Sequence, residues 1–190
     1  MTDTATASKM NAMTASNLRS AFSGESMAGQ RYRIWAGKAE KDGFPTVARL
    51  FRATADAEDV HATLHFKALK DEVGGFSVTA MGEFGYGETS ENLEGAIAGE
   101  TFEYTQMYPA YIAVAEMQGE KEAIRAMRFA TEAEKIHAQL FTKAKEAVDS
   151  GKDLEAEKIY LCPICGFISI TGEEEICPLC NAKKELFKEY

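Results

Sequence analysis

Apolar side chains recur at i, i+3, i+4 and i+7 along four long stretches of the chain, the period of amphipathic helices. The spacing predicts helices over about Asn17–Lys41, Pro45–Glu72, Ser90–Gly119 and Lys121–Ser150. Gly43-Phe44-Pro45, Gly74-Gly75 and Gly151 supply the stops, and Pro109 predicts a kink in the third helix. Residues 73–89 are glycine-rich and irregular, long enough for a crossover between the second and third helices. Four such helices predict an all-α four-helix bundle. Residues 1–16 are small and polar, with no basic start followed by an apolar run; they are expected to be a disordered tail and not a secretory signal. The bundle is assigned to residues 17–154, with 152–158 as a charged linker. Residues 155–190 form a separate small unit, too short for a core of its own and in need of a metal.

Acidic residues interrupt each apolar stripe. Helix one reads Leu18, Ala21, Phe22, Glu25, Ala28, Tyr32, and helix two reads Phe51, Ala55, Glu58, His61, His65, Leu69. Helix three reads Leu93, Ala96, Glu100, Glu103, Met107, and helix four reads Met127, Ala130, Glu134, His137, Phe141. Every helix therefore turns a carboxylate toward the bundle axis. An isolated buried carboxylate costs several kcal/mol or gives up its charge, and four or five together need cations. Glu58-x-x-His61 and Glu134-x-x-His137 place a carboxylate and an imidazole at i and i+3, on one helix face. One glutamate from each of two helices plus Glu-x-x-His from each of the other two is the ligand set of carboxylate di-iron bundles. Mixed oxygen and nitrogen ligands favour iron or manganese.

The first half of the bundle repeats in the second. Asn17–Glu25 aligns with Asn92–Glu100 at an offset of 75, and Ala57–Ala62 with Ala133–Ala138 at an offset of 76. The bundle reads as two helical hairpins related by approximate two-fold symmetry. The repeat breaks at Glu103, whose mate is Ala28; this gives a fifth carboxylate on one side only. Tyr32 follows Glu25 by seven residues and Tyr108 follows Glu100 by eight, so either could donate to a ligand carboxylate. His65, whose mate is Phe141, reads as a core or supporting histidine and not a ligand.

The net charge of −9 and pI near 5.0 exclude the basic face of a nucleic-acid binder. The longest uncharged stretch, residues 159–172, holds Pro163 and two glycines, which excludes a membrane-spanning helix. A cytoplasmic protein is expected. All four cysteines lie in two C-P-x-C pairs, Cys162/Cys165 and Cys177/Cys180. That confinement argues against a disulfide framework and for a tetrahedral metal site. The residues after the knuckles, Gly166 and Asn181, suit a left-handed turn. Four thiolates fit zinc or iron alike. Attachment to a di-metal bundle, which needs electrons, favours a one-electron iron relay.

These motifs resemble the rubrerythrin family: Ala21-Phe22-Ser23-Gly24-Glu25, Glu58-x-x-His61, Gly99-Glu100-Thr101-Phe102-Glu103-Tyr104 running on to Tyr108-Pro109, Glu134-x-x-His137 and the two C-P-x-C pairs. The resemblance covers about Asn17 to Tyr190. It implies a ferritin-like di-iron bundle followed by a rubredoxin-like β/loop domain, with three irons per chain. It also implies a peroxidase that reduces hydrogen peroxide to water in oxidative-stress defence. Electrons would come from NAD(P)H through a separate reductase or rubredoxin-type donor. Carried over, Glu58 and Glu134 are bridging ligands, Glu25 and Glu100 terminal ligands, and His61 and His137 one ligand on each iron. Glu103 is the exchangeable ligand that replaces His61 on oxidation. The resemblance further implies a head-to-tail homodimer. Gln106 and Asn181 depart from the family pattern, which more often has an acid and a glycine there. Iron storage and a zinc-ribbon interaction protein are the rivals; cage formation would mark the first, and a colourless protein the second.

Overall fold

The computed structural model describes residues 10–69 and 72–190. Helix α1 spans Ala12–Asp42 and α2 Pro45–Ala68. The third bundle helix is continuous but built from α3 (Thr89–Phe102), a π-helical turn (Glu103–Met107) and α4 (Tyr108–Gln118). Helix α5 spans Lys121–Asp149. α1 pairs with α2, and α3–α4 pairs with α5. Gly43, in the left-handed region at φ 90°, closes α1, and Pro45 opens α2.

Three features depart from the sequence expectations. First, α1 begins at Ala12 and not near Asn17, so only residues 1–9 of the expected tail lie outside the described residues. The early start has a tertiary cause: the Thr14 hydroxyl donates to Gln118 Oε1 at 2.6 Å and the Asn11 amide to Glu120 Oε1 at 2.8 Å. Second, the irregularity expected at Pro109 is a wide turn just before it, where the Tyr108 N–H reaches back to the Glu103 carbonyl. Third, the charged linker is packed down. Leu154 and Ile159 are buried in the bundle core, and Asp153 accepts from the Thr46 and Val47 N–H groups at 2.7 and 3.1 Å, capping α2. Arg49 binds the Ala156 and Glu157 carbonyls, both at 2.9 Å.

The C-terminal unit has a three-stranded antiparallel sheet, with β1 (Tyr160–Leu161) between β2 (Ile168–Ser169) and β3 (Lys188–Glu189). Leu161 and Ile168 join the bundle core, while Phe129 and Ile136 of α5 pack on the cysteines. The last residue is anchored too, since the Tyr190 hydroxyl donates to Asp56 Oδ2 at 2.6 Å. Two apolar caps bracket the middle of the bundle. Tyr32, Trp35, Phe51 and Phe141 form an aromatic cluster with centroids 5.2–6.0 Å apart, and Leu18, Ala21, Met127 and Ala130 close the other end. Among the described residues no helix is long and apolar enough to cross a membrane.

Candidate metal centres

Between the caps six of the side chains predicted from the broken stripes, Glu25, Glu58, His61, Glu100, Glu134 and His137, are brought together, while Glu103 is not among them. Glu25, Glu58, His61, Glu134 and His137 are 0% exposed and Glu100 is 1% exposed. Two sets of possible ligand atoms, each within 4.8 Å, are Glu25–Glu58–His61–Glu134 and Glu58–Glu100–Glu134–His137. Glu58 and Glu134 belong to both. His61 Nδ1 lies 3.0 Å from Glu58 and 2.7 Å from Glu134, and His137 Nδ1 lies 2.7 Å from Glu134 and 3.5 Å from Glu100. The rings stack with centroids 5.9 Å apart.

The carboxylates fit cations and little else. Glu25 Oε2, Glu58 Oε1, Glu100 Oε2 and Glu134 Oε1 are buried without a hydrogen-bond partner, one orphan on each of the four glutamates. Burial, followed by the charges of neighbouring glutamates, pushes the Glu58 and Glu134 carboxyls well above the ordinary value. Burial opposes the charge of Glu100 as well, but the close approach of Glu134, His137 and the Tyr32 hydroxyl outweighs it and holds Glu100 at about 2. Burial lowers His61 to about 4, so its imidazole is neutral and available as a ligand.

The tyrosines serve these carboxylates across the bundle. Tyr32 on α1 donates to Glu100 Oε1 at 2.5 Å, and Tyr108 on α4 donates to Glu25 Oε1. His65 lies outside both ligand sets and bonds Tyr108. Glu103 also lies outside both sets, partly exposed on the π turn and beside Gly24. Burial of that carboxyl, with the charges of Glu25 and Glu100, pushes it well up.

In the C-terminal unit the four cysteine sulfurs lie within 4.8 Å of one another. The knuckles match: the Gly166 N–H donates to Cys162 O at 3.0 Å and the Asn181 N–H to Cys177 O at 2.9 Å, with φ of 82° and 61°. A hydrogen bond from Cys165, helped by backbone N–H groups, lowers the Cys162 thiol to about 5, toward the thiolate a metal requires.

The two centres meet directly, which sequence reasoning missed. His61 Nε2 lies 3.1 Å from the Cys165 carbonyl oxygen, and His137 Nε2 lies 2.9 Å from that of Gly166. A carbonyl only accepts, so each Nε2 carries the hydrogen and each Nδ1 presents its lone pair to the carboxylates. A Cβ on Gly166 would overlap the His61 imidazole. The docked unit belongs to the same chain.

Comparison with known proteins agrees. The family model "Rubrerythrin" matches residues 16–145. The chain is 47% identical to rubrerythrin-2 of Clostridium acetobutylicum over 95% of its own length and 98% of that protein's. It is 33% identical to nigerythrin of Nitratidesulfovibrio vulgaris over 93% and 86%. A solved structure of fully reduced, all-ferrous nigerythrin superposes with a TM-score of 0.84 at 32% identity, covering 100% of this chain and 91% of that one. With its di-iron ligand set in the helices and its four-cysteine iron site beside it, the chain belongs to the rubrerythrin family, whose members are oxidoreductases.

Proposed function

We propose that the protein is a peroxidase that reduces hydrogen peroxide to water in the cytoplasm. Its electrons come from an NAD(P)H-dependent reductase or a rubredoxin-type donor and pass through the tetracysteine iron. The observation that carries this reading is the contact between centres, with both metal-facing histidines bonded to backbone at Cys165 and Gly166. A storage protein has no need of such a relay.

Iron bound in the bundle supplies the Lewis acidity and the electrons that cleave the O–O bond. The side chains do the rest. Glu58 and Glu134, which belong to both ligand sets, would be shared by the two metal positions, with Glu25 and His61 completing one and Glu100 and His137 the other. Tyr32 and Tyr108 orient the two terminal carboxylates. Glu103, carried on the wide π turn, would be the exchangeable ligand in place of His61, its raised carboxyl keeping a proton beside the site in the meantime. Residues 17–154 and 155–190 act as the reaction and relay units. The protein works as a head-to-tail homodimer. The exposed apolar side chains of the crossover, Met81, Phe84 and Tyr86 among them, support a surface for the second copy.

The variant Cys162→Ser tests the route. NAD(P)H oxidation coupled to peroxide consumption through the donor reductase should collapse, while a single turnover of the chemically reduced bundle survives. Undiminished coupled turnover would contradict the relay. A wild-type protein that consumes no peroxide would contradict the peroxidase.

A further inference from the structure

The two halves of the bundle hold their tyrosines differently. Tyr32 donates to Glu100 at 2.5 Å, and its ring packs on Phe141 with centroids 5.3 Å apart. Tyr108 donates to Glu25, but its oxygen also lies 2.8 Å from His65 Nε2. His65 and Phe141 occupy matching positions of the repeat. A hydrogen-bonding ring therefore supports the tyrosine on the Glu25 side alone. His65 is fully buried, one helical turn beyond His61, and it joins neither ligand set.

Counting hydrogens fixes the direction of the chain. A phenol has one hydrogen, and Tyr108 gives it to the Glu25 carboxylate. Its oxygen is then an acceptor, so His65 Nε2 is the donor. A neutral imidazole has a single N–H, which leaves a bare lone pair on Nδ1. That atom has no hydrogen-bond partner, as befits a nitrogen with no hydrogen to place. At 3.5 Å, His65 Nε2 is too far from Glu25 Oε1 to replace the tyrosine as direct donor.

We propose that His65 is a positioning residue: its Nε2–H locks the Tyr108 hydroxyl toward Glu25, a second support behind one terminal carboxylate that the Tyr32–Glu100 pair at the other metal position lacks. The proposal rests on the two-metal reading of the bundle. It makes the two positions unequal before any ligand exchange at Glu103.

Titration of the metal-free, full-length protein with Co2+ tests this, with the tetrathiolate site followed separately by its sulfur charge-transfer bands. His65→Phe copies the other half and should weaken one bundle site about tenfold, the lower end of the range for groups that orient metal ligands. The second site should be unchanged. His65→Gln keeps an N–H donor and should retain most of the affinity, and His65→Leu gives a second donor-free variant should Phe overfill the space. Tyr108→Phe should weaken the same site. The double variant should lose no more than Tyr108→Phe alone, because the two residues act in series. Additive losses, equal weakening of both sites, or no change in His65→Phe and His65→Leu would reduce His65 to packing and overturn the proposal. Fewer than two Co2+ ions in the wild-type bundle would instead contradict the two-metal reading itself.

Discussion

The hairpin α1–α2 and the hairpin formed by α3, α4 and α5 contribute the same chemistry in unequal settings. Each gives one glutamate, one Glu-x-x-His and one tyrosine. The shared parts explain why the site is binuclear, since a two-fold axis through the carboxylates makes two positions from one motif. The unshared parts are Glu103 on its π turn and the exchange of Phe141 for His65. Both bear on the Glu25 side: the Glu103 side chain lies beside Gly24, next to Glu25, and Glu25 receives the Tyr108 bond. Duplication built the metal pair, and departures from duplication distinguish its members.

The largest expected effect separates shared from unshared ligands. Glu58→Ala should abolish both bundle metals, because Glu58 belongs to both sets, whereas Glu25→Ala should retain the metal held by Glu100 and His137. Elemental analysis with the tetracysteine iron as internal standard checks this; equal losses from the two variants would break the comparison. Next, Glu103→Ala should keep both metals but lower steady-state peroxide turnover by about 10- to 100-fold. Unchanged turnover would leave Glu103 with no part in the reaction.

A smaller effect is expected at the contact between centres. Gly166→Asn imports the residue tolerated at the matching knuckle, so the left-handed turn survives while the new Cβ meets His61. It should weaken docking of the C-terminal unit and slow reduction of the bundle, with the tetrathiolate spectrum unchanged. Asn181→Gly is the control and should do neither.

The smallest effect concerns acidity. In the metal-free protein the buried Glu58 and Glu134 carboxyls have raised pKa values, so the folded state binds more protons than the unfolded one. Stability should then rise as pH falls through the raised pKa values of these carboxyls, with the counter-effect of His61 setting in below its ordinary value of 6.5. Below that, neutral His61 works the other way, because the unfolded chain takes up the proton. Thermal melts across this range check the sign. Metal-loaded protein should show the opposite trend, since cations compete with protons for the same oxygens.

The ligand set was legible because buried carboxylates violate the helical stripe, and Glu25, Glu58, Glu100 and Glu134 all did so. The π turn was present in the sequence as a slip: the repeat offset grows from 75 to 76 between Glu100 and Glu134, and Tyr108 sits one residue farther from its glutamate than Tyr32. One inserted residue in a helix is what a π turn absorbs. The contact between centres was not legible, because the acceptors are backbone carbonyls and carry no side-chain signature. Nor was the early start of α1, whose Thr14 partner lies 104 residues away. The linker misled through its charges. Glu155, Glu157 and Lys158 dominate the reading, while Leu154 and Ile159 on either side of them are buried.

Rapid mixing of the fully reduced protein with hydrogen peroxide, without oxygen or excess reductant, tests the central claim most directly. The account predicts that one peroxide is consumed for every two electrons lost, and that the visible absorption of the oxidised tetrathiolate iron returns as the bundle draws on it. A tetrathiolate centre that stays bleached, with peroxide unconsumed, would contradict it.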